Sequence, residues 1–397
     1  MNITIISNIL PYPLVSGGAQ AQFNMIDELR KKHRISFIFT EDAKNKISGM
    51  RKLQKLWPEV TFYPYSYIKQ LCNPKFVYEK TRRALQLIFT PKRQTFIVER
   101  TLRPYGVEFS KDFIRFVNNV ITNEKADIIQ IEFFPCLHLI NYLSKDTRKI
   151  FVHHEIRFVR NRRLLSSLEL TEKQKKYEAM IKRQEIDDLN KFDEIITLTD
   201  KDKEELKANG VKVPIFSSPA AVNATISPYS EWNGTLSFVG GYAHIPNQEG
   251  IDWLIAHVLP LLNNSNLRIN IIGKGWPNKY KTNNINLCGF VPDLSSALKS
   301  TIMIVPILTG SGMRMKILEA AAMSLPIITT TVGVEGLYFK HQESCIIADT
   351  PEEFVSAIKL LSENPELRKK IGTNACKVYS EKYSKQALAK LRDSIYN

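Results

Sequence analysis

Three side chains stand close together in the stretch from Pro306 to Leu337 and could do chemistry on an anion: Arg314, Lys316 and Glu319. Two cations follow a Gly310-Ser311-Gly312 turn, and Met313 separates that turn from them. A β-rich run from Thr301 to Ile307 leads into the turn. A helix is predicted to start near Met313, with Ile317, Leu318 and Ala321 on its apolar side. It stops at Leu325-Pro326, and a second β-branched run is predicted from Ile327 to Val332. A helix start behind a glycine turn offers free N–H groups and a positive dipole end, which suits a phosphate. Cations in a first helical turn oppose the dipole, so a bound anion would account for them. Glu319, further along, is in reach of sugar hydroxyls. The plain structural alternative is an ordinary strand–helix–strand unit with an exposed basic turn.

A second group lies in the first half. Asp127 to Phe133 reads as a strand carrying Gln130 and Glu132, and Lys149 to His153 reads as another, followed by His154-Glu155. An acid and a histidine at neighbouring strand ends point to a site, because open α/β sheets bind ligands at that edge. A structural histidine is the alternative. Adjacent residues of a strand face opposite ways, and no H-E-x-x-H is present, so His153 and His154 are a poor zinc pair. Arg157, Arg160, Arg162 and Arg163 follow, as phosphate ligands or as partners of acids on the next helix, Thr171 to Asn190. Asp200-x-Asp202 looks like a metal-binding D-x-D, but Thr199 or Asp200 before K-D-K-E-E-L-K reads as a helix cap with acids in the first turn.

The elements that must position these groups are α/β throughout. Asn2 to Ser7 is a strand, Pro11 to Gly18 a loop, Ala19 to Arg30 a helix and Ile35 to Phe39 a strand. The glycine pair Gly17-Gly18 at the first strand-to-helix turn is not a G-x-G-x-x-G dinucleotide fingerprint. Pro214 to Asn233, rich in Pro and small residues, reads as a linker. A second series then begins at Leu236 to Val239 with its own Gly240-Gly241 turn. Strands at Arg268 to Ile272 and Ile285 to Leu287 follow. Helices are expected at Pro351 to Leu361, Pro365 to Tyr379 and Tyr383 to Tyr396.

The Pro306–Leu337 stretch resembles the donor-site motif of family 4 of the GT-B glycosyltransferases, in the branch written G-x-G-x-R-x-K-x-L-E-A. Gly310, Gly312, Arg314, Lys316 and Leu318-Glu319-Ala320 fit that form. The first Glu of the wider family's Glu-x7-Glu pattern is replaced by Ser311. F-V-G-G-Y-A-H-I-P-N-Q-E-G-I-D-W-L, including Pro246-Asn247 and Trp253-Leu254, resembles the start of the C-terminal domain of the same branch. Between Gly240 and Gly250 the chain has no Arg or Lys, which many relatives place there.

The resemblance implies a GT-B fold: two Rossmann-like domains with a cleft between them and a terminal helix returning to the first. The expected boundaries are 1–215 for the acceptor side, 216–380 for the nucleotide-sugar side and 381–397 for the returning helix. It implies a retaining, metal-independent transferase that takes a sugar from a nucleoside-diphosphate sugar and needs no cofactor. His154, Arg314, Lys316 and Glu319 would be its catalytic residues. Gly241, Phe290, Val291, Gly310, Ser311, Gly312, Met313 and Glu335 would bind the donor; Glu335 reads equally as a helix-start acid. Gly17, Gly18 and Glu132 would lie on the acceptor side. The acceptor would be a glycan or a lipid-linked molecule of cell-surface polysaccharide synthesis.

Composition agrees with a globular enzyme. The 397 residues suit two domains, and the 44% hydrophobic fraction supports sizeable cores. No apolar run is long enough to span a membrane, and no signal-peptide pattern opens the sequence. Five scattered cysteines lack metal spacing, so reduced thiols and a cytoplasmic protein, with the inner membrane face as a further place, are expected. Net charge is +15, and it is uneven: residues 1–215 hold 38 Lys and Arg against 26 Asp and Glu, while 216–397 hold 17 against 14. The basic half suggests an anionic partner, and peripheral membrane contact is the expected form. Residues 50 to 120 interleave aromatics (Trp57, Phe62, Tyr63, Tyr65, Tyr67, Phe76, Tyr78) with Lys80, Arg82, Arg83, Lys92 and Arg93. That pattern fits a membrane interface, a single-stranded nucleic acid surface, or a helical insert with a solvated face. Two other functions remain on these residues: a GT-B sugar-nucleotide 2-epimerase, and a basic lipid- or nucleic-acid-binding protein without catalysis. The motif positions of Arg314, Lys316 and Glu319 argue against the latter, and no nucleic acid partner is expected.

Overall fold

The computed structural model describes residues 1–14, 17–41, 44–66, 98, 101–102, 109–166, 168–221, 224, 226–262, 267–310 and 313–397. The chain divides into two compact units, Met1–Ser218 with Ile395–Asn397, and Pro219–Ser394.

Among the described residues the first unit holds seven parallel strands: β1 (Asn2–Ser7), β2 (Arg34–Glu41), β3 (Thr61–Ser66), β4 (Ile128–Glu132), β5 (Arg148–His153), β6 (Glu194–Thr197) and β7 (Ile215–Ser217). Their order is β3-β2-β1-β4-β5-β6-β7. The β-branched runs form these strands because each side of the sheet is covered. Ile3, Ile5, Ile128, Ile150 and Val152 face one apolar layer, with Trp57, Phe37 and Tyr396; Ile6, Ile129, Ile131 and Phe151 face the other, with Phe113 and Leu139. This period of two decides which way each later side chain points. β7 corrects the linker reading: Pro214 and the serines there suggested a loop, but Ile215 is buried and the segment pairs with β6.

In the second unit the order is β10-β9-β8-β11-β12-β13, all parallel, from β8 (Thr235–Val239), β9 (Arg268–Ile272), β10 (Ile285–Gly289), β11 (Ile302–Val305), β12 (Ile327–Thr329) and β13 (Ile346–Ile347). Counted within each unit, both sheets run 3-2-1-4-5-6, with a seventh strand added at the far edge of the first. In that order successive connections leave the first strand in opposite directions, and the crevice between strands 1 and 4 at their carboxyl ends is where such sheets take ligands. The two units are α/β Rossmann-like sheets, as the sequence predicted.

Three local expectations change. The helix expected from Met313 is Met315–Ala322, with Arg314 as its N-cap residue, so Arg314 precedes the first turn and Lys316 alone of the two lies in it. β12 ends at Thr329, because Thr330 caps a short helix, Thr331–Val334, its hydroxyl accepting from the Gly333 amide. Glu335 follows that helix, so the helix-start reading of it is wrong. The described aromatics of residues 50 to 66 also serve the core in part. Trp57 is buried, stacks near Phe23 at 4.6 Å and donates its indole N–H to Asp27 at 3.1 Å, while Phe62 packs on Phe37. Trp57 and Phe62 are thus spent on the core and not offered to a surface. Tyr67, Phe76, Tyr78, Lys80, Arg82, Arg83, Lys92 and Arg93 lie outside the described residues.

Candidate functional site

Each unit presents a cluster at its own switch point. In the second unit the strand before the crevice is β8, which ends in Gly240-Gly241. The strand after it is β11, which leads through Pro306 and Gly310 to the helix Met315–Ala322. Small residues are required here. A Cβ on Gly273 would lie 2.2 Å from the Gly240 carbonyl oxygen, and one on Gly250 would lie 2.1 Å from that of Pro306. The helix Ile245–Trp253, which carries Asn247 and Gly250, is thereby drawn against the end of β11. Gly310 has φ +102°, a left-handed value that suits glycine, and it lies near Pro246 and the Arg314 guanidinium.

Lys316 is the centre of this cluster. Its ammonium donates to Asn247 Oδ1 at 2.8 Å, and the Asn247 amide nitrogen donates to the Gly241 carbonyl at 2.9 Å. The same ammonium sits 4.2 Å above the centroid of the buried Phe238 ring, on β8. Lys316 is half-buried as a residue, and these neighbours hem in its Nζ. Its pKa is pushed down to about 7, first by burial and then by the Arg314 charge, with Glu319 pulling the other way. Glu319 is buried one turn further along the helix. The arrangement sets a desolvated amine beside glycine backbone and a helix start, a setting whose chemistry suits a compact anion.

The other expected donor-side residues flank this centre. Gly289 ends β10, with Phe290 exposed beyond it and the Lys274 ammonium 4.6 Å over the Phe290 ring. Val291 is half-buried. β10 lies two strands to one side of β8, and β12, which precedes Glu335, two strands to the other. Met313 is half-buried, and Ser311 and Gly312 lie outside the described residues.

In the first unit the helix Gly17–Leu29 follows β1, and Glu132 ends β4 across the switch point. Glu132 is fully buried. Its Oε2 accepts from Gln22 Nε2 and lies against His154 Nε2, both at 3.0 Å, and its Oε1 accepts from Gln130 Nε2 at 2.6 Å. The His154 ring stacks on Phe133, centroids 3.9 Å apart and planes 12° from parallel. Phe133 has φ +65° and ψ 142°, a conformation that disfavours a side chain, and costs about 1–3 kcal/mol. Gly18 makes room for its ring: a Cβ there would lie 3.0 Å from Phe133 Cε1. Gly17 is exposed at the helix start.

His153 points away, as the strand alternation requires. It is buried, 3.2 Å from Glu185, whose carboxylate also accepts the Arg157 and Phe158 amides at the start of the helix Arg157–Leu165. That histidine is structural. Arg160 pairs with Glu155 and Arg162 with Glu205, on the helix Asp200–Ala208, so neither reaches the next helix. Thr199 caps that helix by accepting from the Asp202 amide at 3.0 Å. Sequence reasoning assigned no role to Asn247, Phe238, Gln22, Gln130 or Phe133. The Pro246-Asn247 pair beside a glycine turn was the one signal that could have pointed to the lysine's partner.

Among the described residues no helix is long and apolar enough to cross a membrane. Residues 233–364 match the family described as Glycosyl transferases group 1, a span that includes Gly241, Asn247, Lys316 and Glu319. Among curated proteins, the chain is 26% identical over 223 residues to an uncharacterized 44.6 kDa protein in the cps region of Klebsiella pneumoniae, covering 52% of this chain and 57% of that protein. It is 29% identical over 92 residues to glycosyltransferase 1 domain-containing protein 1 of Xenopus tropicalis, covering 23% of this chain and 27% of that one. The chain thus spans little more than half of one relative and about a quarter of the other. Among solved structures, TarM superposes over 100% of this chain and 98% of its own, with TM-score 0.70 and 14% identity. A mutant of S. aureus TarM is solved with fondaparinux, α-GlcNAc-glycerol and UDP, TM-score 0.69. The fold is that of these GT-B proteins.

Proposed function

We propose that this protein is a retaining, metal-independent glycosyltransferase that moves a sugar from a nucleoside-diphosphate sugar to a glycan or lipid-linked acceptor. The observation that carries the reading is the enclosed Lys316 ammonium, held by Asn247 at the switch point of the sheet that matches the group 1 glycosyltransferases. UDP in a TarM complex and the cps-region relative support a nucleotide-sugar donor and a role in cell-surface glycan synthesis.

In this reading the donor's diphosphate lies against Lys316, Arg314 and the amides of Gly310 and Met313. Negative charge grows on the diphosphate as the bond to the sugar breaks, and preformed cations in a desolvated setting stabilise that charge. Glu319 takes the ribose hydroxyls, and Phe290 and Val291 take the base. The acceptor hydroxyl attacks the face from which the phosphate leaves, and the departing phosphate helps to take its proton. No pair of carboxylates is needed for a covalent intermediate. His154, steadied by Glu132 and Phe133, contacts the sugar.

The test is a thermal-shift screen of the purified protein across nucleotide sugars and free nucleotides, followed by release of nucleoside diphosphate with lipid-linked acceptors. A nucleotide that raises the melting temperature, and does so less in Lys316→Ala, is the expected result. Failure of every nucleotide to shift the transition, or equal turnover in Lys316→Ala, overturns the proposal.

A further inference from the structure

The buried pair Glu132–His154 is the end of a longer chain of hydrogen bonds. Gln130 sits two residues before Glu132 on β4, on the same face of the strand, and its amide N–H donates to Glu132 Oε1 at 2.6 Å. Its other end, Oε1, accepts the phenol hydroxyl of Tyr396. Tyr396 is fully buried in the apolar layer of the first unit. It is anchored there by Arg148, whose guanidinium donates to the carbonyls of Ile395 and Tyr396, each at 2.7 Å, and to both oxygens of Glu194.

The polarity of this chain is fixed. A carboxylate only accepts, so both amide groups around Glu132 must turn their N–H ends to it. Gln130 then presents its carbonyl to Tyr396, and only a hydroxyl that donates can sit there. On the other side, a neutral His154 meets Glu132 Oε2 with a protonated Nε2. Its Nδ1 then carries the lone pair, and among the described residues that buried atom has no hydrogen-bond partner. The tautomer of His154 follows from what Glu132 offers its Nε2, and Glu132 is held on one oxygen by Gln22 and on the other, through Gln130, from Tyr396.

We propose that Tyr396 is a positioning residue: acting through Gln130 and Glu132, it fixes the orientation and the Nε2–H tautomer of His154, leaving Nδ1 free to accept a hydroxyl of the sugar undergoing transfer. This rests on the transferase reading for its last clause only; the relay itself stands on geometry.

The test uses the full chain labelled with 15N-histidine, the His154 signal assigned by its loss in His154→Gln. Wild type is expected to show His154 in one tautomer, Nε2–H. Tyr396→Phe keeps the ring and its packing but removes the donor, leaving the buried Gln130 carbonyl oxygen unpaired, so that Gln130 shifts and Glu132 loses the partner that fixes the rotation of its carboxylate. In that variant His154 is expected to show averaged tautomers. Turnover should fall about tenfold, with the donor KM nearly unchanged, as for a misplaced catalytic group. Gln130→Leu should do the same, and the double variant should be no worse than the worse single one, because both cut one chain. An unchanged His154 tautomer in Tyr396→Phe, or single effects that add, overturns the relay. A tautomer change in a protein that transfers no sugar from any donor leaves the relay standing and overturns the transferase reading.

Discussion

Lys316 and Asn247 are joined by a 2.8 Å hydrogen bond that spans the switch point of the second sheet, from the helix after β11 to the helix after β8. Neither residue is held by its own element. The bond exists because Gly250 lets one helix close on the Pro306 carbonyl and because the Gly240-Gly241 turn accepts the other end of the asparagine.

Removing the cation should separate stability from activity. Lys316→Met leaves an apolar chain over Phe238 in place of a desolvated ammonium. Turnover should fall by about 10²-fold or more, the loss expected for one donor to a developing oxyanion. The melting temperature at pH 7 should rise by about 2 °C or more, because the variant no longer carries a buried charge. Transfer assays and calorimetry on one preparation check both.

Proton linkage gives the second prediction. The Lys316 pKa is about 7 in the folded protein, against an ordinary 10.5. Between those values the unfolded chain binds more protons than the folded one, so stability gains from this residue as pH rises from about 7 to 10.5; below about 7 both states are charged and the gain vanishes. A diphosphate beside the ammonium would raise its pKa again, so nucleotide binding should take up a proton. Affinity should therefore weaken by up to about tenfold per pH unit above 7. Titration calorimetry in buffers of differing ionisation enthalpy measures that uptake, and Lys316→Met should abolish it.

Asn247→Asp should keep the hydrogen bond to Lys316 while adding a negative charge beside it. The ammonium would then be neutralised internally, and the charge would repel a diphosphate. Nucleotide affinity should drop at least about tenfold, while the loss of the amide donor to the Gly241 carbonyl offsets the new ion pair in the melting temperature. An unchanged affinity would show that the diphosphate does not meet this lysine.

Gly250→Ala should destabilise the second unit by about 1–3 kcal/mol, because the added methyl would need the space of the Pro306 carbonyl oxygen. Denaturant unfolding checks this. Nucleotide affinity should fall with it, since the displaced helix carries Asn247.

Much of this was legible in the sequence because β-branched runs ending in glycine pairs mark strand ends, and strand ends are where an α/β sheet does its chemistry. Lys316 and Glu319 were picked out behind a glycine turn and by the motif they fit, Glu132 and His154 as an acid and a histidine at neighbouring strand ends. The start of the helix at Met315 was misjudged by two residues, because the turn before it has no capping Ser, Thr, Asp or Asn next to the first apolar residue. β7 was hidden because a three-residue strand beside Pro214 has too few positions to show an alternation. The partners were the least legible. Gln130 and Tyr396 are 266 residues apart, and Lys316 and Asn247 are 69 apart. No local pattern brings such pairs together; only the order of the strands does.

Phe133 holds a backbone shape that glycine would adopt at no cost, and it does so to lay its ring on His154. Selection for stability alone would discard that phenylalanine. Its retention would be a mark of a working enzyme, and its loss to glycine or asparagine in a descendant would signal a lineage that had kept the scaffold and given up the reaction.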